Sequence, residues 1–288
     1  MRRLATARTL PAMQASSTAT VASGHDGAAV VRTRAGRAIV LTLDRPAARN
    51  ALTLELILAL DAAIAAVALD ADIGAIVLAG NGPAFSSGHD LKELTGHRAD
   101  ADGGRAFYEQ VMRACAALML RIVASPKPVV AAVEGVATAA GCQLVASADL
   151  AVAGADARFA TPGVSIGLFC STPMVALSRN LSRKRAMEML LLGEMLDAEA
   201  AATHGLVNRV VPAGGALAAA TDLAQKIAAK SPLTVAIGKE AFHRQLDMPL
   251  AQAYDYAAEV MVGNMLTEDA REGIGAFLQR RQPGWKGC

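Results

Sequence analysis

The chain has 288 residues, 53% of them apolar and 19% charged, with a mean hydropathy of +0.33, enough to bury one large core, or one core with a docked helical arm. Its 28 basic and 26 acidic residues are spread along the sequence for a net charge of +2, and only 3% of residues are aromatic, so neither a basic stripe nor a stacking platform points to a nucleic-acid partner. The one charge-free run long enough to be mistaken for a membrane span, Phe159 to Ser178, holds Pro162, Gly163, Gly167 and Pro173, which interrupt any helix of that length.

In chain order, the first 25 residues carry Arg2, Arg3 and Arg8, no acid and many Ser, Thr and Ala. That composition resembles a transit peptide, with a disordered tail or an overlong start as the simpler reading, so residues 1–27 are set apart. "RAIVLTLD" (Arg37 to Asp44) reads as a strand, Thr53 as the cap of the helix "LELILALDAAIAAVALD", and "IGAIVLAG" (Ile73 to Gly80) as a second, nearly all-apolar strand. After the turn "NGP", Asp90 and Glu93 have the spacing of a capping box, which predicts a helix from Leu91. An apolar helix through "VMRACAALMLRIVAS", the strand "PVVAAVEG", a short helix from about Ala139 and the strand "DLAVAG" follow. Buried strands alternating with helices predict an α/β fold with mostly parallel pairing.

Thr172-Pro173 suits an N-cap followed by proline at the first helical position. Beyond it the sequence is mostly helical, with one strand at "LVNRVVP". The expected division is therefore an α/β core over residues 28–210 and a helical region over 211–288. Cys115, Cys142, Cys170 and Cys288 have neither CxxC nor metal-ligand spacing and read as reduced core thiols. Neither a metal nor a separate cofactor is expected.

The features that carry chemistry are backbone features. "SSGHD" puts Gly88 and His89 just before one predicted helix start, and "ATAAGC" puts Ala139, Ala140 and Gly141 at another. Peptide N–H groups at a helix start lack intrahelical partners and favour negative charge. Two that converge would hold a carbonyl oxygen as it becomes an oxyanion, while the alternative is tight packing of small residues between helix and strand.

The segments "LTLDRPAARNALT", "GPAFSSGHDLKEL", "KPVVAAVEGVATAAGCQLVASADLAVA", "ATPGVSIGL", "AAATHGLVNRVVP" and "EGIGAFLQRRQP", in that order, resemble the crotonase (enoyl-CoA hydratase/isomerase) superfamily over about residues 35–286. The resemblance implies a spiral of ββα units with a C-terminal helical trimerisation region, assembled as a homotrimer or a dimer of trimers. It implies that an acyl-CoA thioester binds with its carbonyl between the His89 and Ala140 amides, Ala140 replacing the usual glycine. It also places Gln143 and Gly163 where hydratases of the family carry two glutamates that position a water and move its protons. An amide and a glycine transfer no proton near neutral pH, so hydration should be weak.

Ser171, with Cys170 beside it, falls near a position where some relatives carry an aspartate, although a helix cap is the simpler role. The resemblance gathers the CoA contacts at Arg45, Ala47 and Arg49, at Ser87, Asp90, Leu91 and Lys92, at Thr138 and Pro162, and at Phe277 and Arg280. Among other titratable groups, the His89 side chain could point to solvent or cap, Asp90 reads as an N-cap, His204 suits a helix end, and Glu109 beside Tyr108 could reach an acyl pocket. His25, His97 and His243 lie outside the matching segments.

Three functions compete: an enzyme of the enoyl-CoA hydratase/isomerase type, a non-catalytic acyl-CoA-binding or regulatory protein, and a thioester hydrolase using Cys170 or Ser171. A bacterial source would imply the cytoplasm and a eukaryotic one the mitochondrial matrix.

Overall fold

The computed structural model describes residues 29–288; the expected N-terminal tail, and His25 with it, lies outside them. The first pair, β1 (Val30–Ala35) and β2 (Ala38–Leu43), is an antiparallel hairpin turned at Gly36, whose φ of +60° suits glycine. β1 was not legible from its sequence: "VVRTRA" has exposed arginines and no apolar alternation. Then come α1 (Leu54–Ala68), β3 (Ala75–Gly80), β4 (Ala84–Ser86), α2 (Leu91–Gly96), α3 (Arg105–Ala124), β5 (Val129–Val133), β6 (Val136–Thr138), α4 (Ala140–Ser147), β7 (Leu150–Gly154) and β8 (Arg158–Ala160). The remainder is α5 (Ser171–Asn180), α6 (Arg183–Leu192), β9 (Leu196–Asp197), α7 (Ala198–Thr203), β10 (Arg209–Val211), α8 (Ala216–Ala228), α9 (Pro232–Gln245), α10 (Leu250–Met265) and α11 (Glu268–Leu278).

The strands form two sheets. The larger has the order β1-β2-β3-β5-β7-β10, parallel from β2 onward, and the smaller the order β4-β6-β8-β9, parallel except for β8 with β9. Each turn of the chain contributes one long strand to the first sheet, one short strand to the second, and then a helix. The larger sheet is covered on both faces, which is why β3 and β5 are apolar at nearly every position. One face meets the residues of α1, α3 and α4. The other meets Ala216, Ala220, Ala224 and Ala228 of α8, a stripe four residues apart that lets the helix lie close. The helical region standing apart from the core therefore begins at α9, not at residue 211.

Local capping follows the sequence in part. Thr53 Oγ1 accepts from Leu56 N at 3.2 Å, and Asp90 caps α2 through the Lys92 and Glu93 amides. Glu93 does not complete a capping box; its carboxylate reaches across to Leu54 N at the start of α1, at 3.1 Å. α5 begins two residues earlier than expected, at Ser171, with no side-chain cap, so Thr172 is inside the first turn. Cys115, Cys142 and Cys170 are core thiols as expected, but Cys288 is exposed, because it follows the last helix rather than packing under it.

α9 is tied to the core by Lys239, whose ammonium donates to Ile122 O at 2.8 Å and to Asp149 at 2.7 Å. The same Asp149 oxygen accepts from Val129 N at 2.7 Å. α9 and α10 bury none of their residues completely and expose Phe242, Tyr254, Met261, Val262 and Met265. No helix among the described residues is long and apolar enough to cross a membrane.

One residue the sequence did not single out organises the segment before α1. Asn50 is fully buried at φ +52°, a left-handed conformation that asparagine tolerates better than other side chains. Its Nδ2 donates to Asn81 O and Ala84 O at 2.9 and 2.8 Å, and its Oδ1 accepts from Arg45 N at 2.8 Å. Replacing it with alanine strands three backbone groups, each worth about 1 kcal/mol or more. Asn50→Ala is expected to lower the melting temperature by at least about 6 °C, since about 1 kcal/mol moves a domain of this size by 2–4 °C; an unchanged melting temperature would show that Asn50 does not organise this segment.

Candidate active site

The smaller sheet brings the two predicted helix starts together. The segment after β4 is held on one edge by the loop before α1: Ser87 N donates to Arg49 O, Leu52 N to Gly88 O at 2.8 Å, and Asp90 N to Leu52 O at 3.0 Å. Leu52 and His89 thus make a parallel bridge. In such a bridge the neighbours of the central residue make the bonds and its own N–H faces the other edge, here the edge carrying β6 and the start of α4. Thr138 Oγ1 donates to Ser87 O across that edge at 3.1 Å.

The contact is as close as backbone allows. A Cβ added to Gly141 would stand 2.2 Å from Ser86 O, and one added to Gly88, which has φ +86°, would stand 3.1 Å from Ala140 N. Ala139 enters α4 at φ 50° and ψ −118° and offers no side-chain cap. Among the described residues neither His89 N nor Ala140 N donates a hydrogen bond. Two free amides therefore stand on adjoining turns, one of them at a helix N-terminus whose dipole favours negative charge.

Two side chains beside these amides are unsatisfied. Gln143, one turn into α4, is 4% exposed, and its Oε1 is buried without a partner. His89 does not point to solvent: its Nε2 is enclosed and likewise unpartnered, and burial lowers its pKa from 6.5 to about 4. Gly163 lies in the 3-10 helix Pro162–Ile166 and is buried. A Cβ there would stand 2.7 Å from Leu168 O and 2.9 Å from Cys170 Sγ, so crowding rather than a positive φ excludes a side chain.

The other expected residues divide. Arg45 is engaged already, donating to Ala51 O at 2.6 Å and pairing with Asp90 at 3.5 Å. Ala47 and Leu91 are exposed, and Arg49 and Lys92 are exposed cations with no ion pair among the described residues. Phe277 is 82% exposed on α11, which packs on α9 and α10, and Arg280 follows it at φ 54°. Glu109 faces solvent in a pair with Arg105, and Tyr108 donates to Leu94 O at 3.1 Å. His97 stacks on Phe107, His204 caps α7 and His243 lies 3.8 Å from Asp149.

The nucleophile candidates are poorly armed. Ser171 is exposed and its hydroxyl donates to Phe169 O at 3.3 Å. Burial pushes the Cys170 thiol up, only partly offset by the Gly163 N–H, and pushes Cys142 up to about 12. Neither has a hydrogen-bonded base among the described residues. No group of three or more His, Cys, Asp or Glu among those residues could hold a metal.

Residues 33–288 match the family model described as Enoyl-CoA hydratase/isomerase. The chain belongs to the enoyl-CoA hydratase/isomerase family. Within it, the chain is 48% identical to the enoyl-CoA hydratase domain-containing protein 3, mitochondrial, of Rattus norvegicus, over 85% of this chain and 80% of that protein. The crystal structure of human enoyl Coenzyme A hydratase domain-containing protein 3 superposes with a TM-score of 0.85 at 44% identity, covering 89% of this chain and 100% of that one. That of an enoyl-CoA hydratase of Mycobacterium smegmatis gives 0.84 at 46%, covering 89% and 98%. The two-sheet core with α9–α11 behind it is thus the crotonase fold.

In this family member the enclosed imidazole makes acid a specific stress. Unfolded, His89 takes up a proton near pH 6.5, and folded only near pH 4, so between those values the unfolded state binds more protons and stability falls as pH falls. At about 1.4 kcal/mol per pH unit the loss reaches at most about 3 kcal/mol. Urea midpoints measured from pH 7 to 4 should fall more steeply for the wild type than for His89→Gln. Parallel slopes would place the imidazole in solvent.

Proposed function

We propose that the protein binds an acyl-CoA thioester with the thioester oxygen between the His89 and Ala140 amides, which stabilise it as an enolate-like oxyanion. The observation that carries this reading is the pair of unpartnered amides on adjoining turns, one at the uncapped start of α4. Gly88 and Gly141 let the two turns meet backbone to backbone, which sets the two amides on adjoining turns. Arg49 and Lys92 are free to meet the CoA phosphates. Thr138 and Ser87 contribute by holding the two turns together, and Arg45 with Asp90 by fixing the start of α2.

Proton transfer is the weak part of the site. Gln143 and Gly163 stand where the family's hydratases carry glutamates, and general acid–base catalysis supplies about a hundred to ten-thousand-fold. The amides alone favour enolate chemistry such as isomerisation over hydration. The absence of a carboxylate also favours a second reading, an acyl-CoA-binding protein without turnover. Cys170 and Ser171, without a base, give thioester hydrolysis no comparable support. The exposed apolar faces of α9 and α10 fit burial between subunits of a trimer or a dimer of trimers. A compartment follows the source, matrix for a eukaryotic chain and cytoplasm for a bacterial one.

Calorimetric titration with crotonyl-CoA and a hydration assay on the same sample test the proposal. The expected result is saturable binding with slow hydration. Gln143→Glu is expected to raise hydration about tenfold, a modest share of what acid–base catalysis supplies, because a carboxylate enclosed at that position would have its pKa raised towards neutrality. Adding Gly163→Glu should lower the melting temperature rather than raise the rate further, since its Cβ meets the Leu168 carbonyl. No binding of the CoA ester would remove the proposed site, and rapid hydration by the wild type would refute the account of the missing glutamates.

A further inference from the structure

The helical arm α9–α11 joins the core over three residues. α8 ends at Ala228 with its alanine stripe buried against the larger sheet, and Pro232 opens α9, so Ala229, Lys230 and Ser231 interrupt what would otherwise be one continuous helix. The side-chain ties from the arm to the core lie on α9, where Lys239 bonds Ile122 O and Asp149, and His243 lies 3.8 Å from Asp149. Beyond α9 the chain is held differently. Among the described residues, the one hydrogen bond from residues 246–288 to any residue before 230 is that of Trp285 Nε1 to Ala229 O, at 2.9 Å.

That bond belongs to a strap. After α11, Arg281 forks onto Glu272 at 2.6 and 2.8 Å, and Gly284 N donates to the same carboxylate at 2.8 Å, which turns residues 282–288 back along α11 towards the joint. The Trp285 ring lies so close over Gly273 that a Cβ there would stand 3.0 Å from it. Asp269, in the first turn of α11 and fully buried, closes the strap. Its Oδ1 accepts from Lys286 N at 2.7 Å, both oxygens accept from Gly287 N at 3.1 Å, and Oδ2 accepts from the Ser231 hydroxyl at 2.6 Å. Ser231 is itself the N-cap of α9, accepting from Thr234 N at 3.1 Å. One carboxylate thus bonds both the joint and the strap, with hydrogen bonds of the stronger, charge-assisted kind. We propose that residues 229–231 are a hinge for the arm and that segment 282–288 is the latch that holds it shut, with Asp269 as the group that closes the latch. α9 and α10 bury no residue completely, so little apolar packing resists the opening once the latch is lost. The two sheets keep their packing while the arm moves.

Native-state hydrogen exchange read by mass spectrometry tests this on the unaltered chain. Peptides from α9 to residue 288 are expected to exchange together, through one opening, at least about tenfold faster than those of β3, β5 and α8. Asp269→Asn keeps the shape of the side chain but sets an NH2 group against the donors that the carboxylate accepts from. It should speed exchange of the arm about tenfold further, the size of losing hydrogen bonds to a charged group, while β3 and β5 keep the wild-type rate. Trp285 is the only tryptophan of the chain, so its emission should shift to the red and become open to acrylamide quenching in that variant. A chain ended after Gln282 should free the arm to the same extent, and Asp269→Asn added to it should change the rate by less than about twofold, because two parts of one latch are not additive. Wild-type exchange of arm and sheets in a single step would overturn the hinge, and arm rates unchanged in the shortened chain would overturn the latch; both outcomes are readable even where Asp269→Asn fails to fold. A Trp285 that stays shielded in folded Asp269→Asn would overturn the part given to Asp269.

Discussion

The close approach of the turn after β4 to the first turn of α4 is the constraint on which the site depends. With Gly141 against Ser86 O and Gly88 against Ala140 N, no Cβ fits at either glycine, and two backbone segments meet without side chains between them. Everything on the other edge serves to hold that contact. Leu52 fixes the orientation of His89, Asn50 fixes the loop that presents Leu52, and Thr138 joins the two turns directly. The amides are left free because the hydrogen bonds that would normally claim them are made by their neighbours.

That arrangement carries strain. Ala139 at φ 50° and ψ −118° occupies backbone space that glycine adopts freely and alanine does not, a departure that costs about 1–3 kcal/mol and persists only where surrounding structure imposes it. Here Ala139 N is held by Ala160 O at 2.9 Å and Gln143 N by Ala139 O at 3.0 Å. The strained residue is the N-cap, and having no polar side chain it cannot satisfy the amides that follow. A serine or aspartate cap would stabilise α4 and fill the space in front of the Ala140 amide.

The rest of the molecule supports the site at a distance. The six-stranded sheet, apolar on both faces, is the platform from which the short strands β4, β6 and β8 branch, and these pair side by side in the smaller sheet. Lys239 holds α9 to that platform through a buried ammonium, with desolvation lowering its pKa against the pull of Asp149. The outer faces of α9 and α10 remain open.

The sequence by itself determined the α/β class, the long strands, most helices and the two small-residue turns, because apolar periodicity, caps and glycines are local signals. The ordered motifs also carried the family. Three things were beyond local reading. The strands β4, β6, β8 and β9 have only two or three residues and acquire strand character only by pairing with one another. Asn50 looks like any polar turn residue until its three partners, up to 34 positions away, are in place. The fates of His89 and Arg45 were also tertiary decisions. Burial encloses the one imidazole, and Asp90 with Ala51 O engages the guanidinium, since solvent exclusion and ion pairing are set by what the fold packs around a residue rather than by its neighbours in the chain.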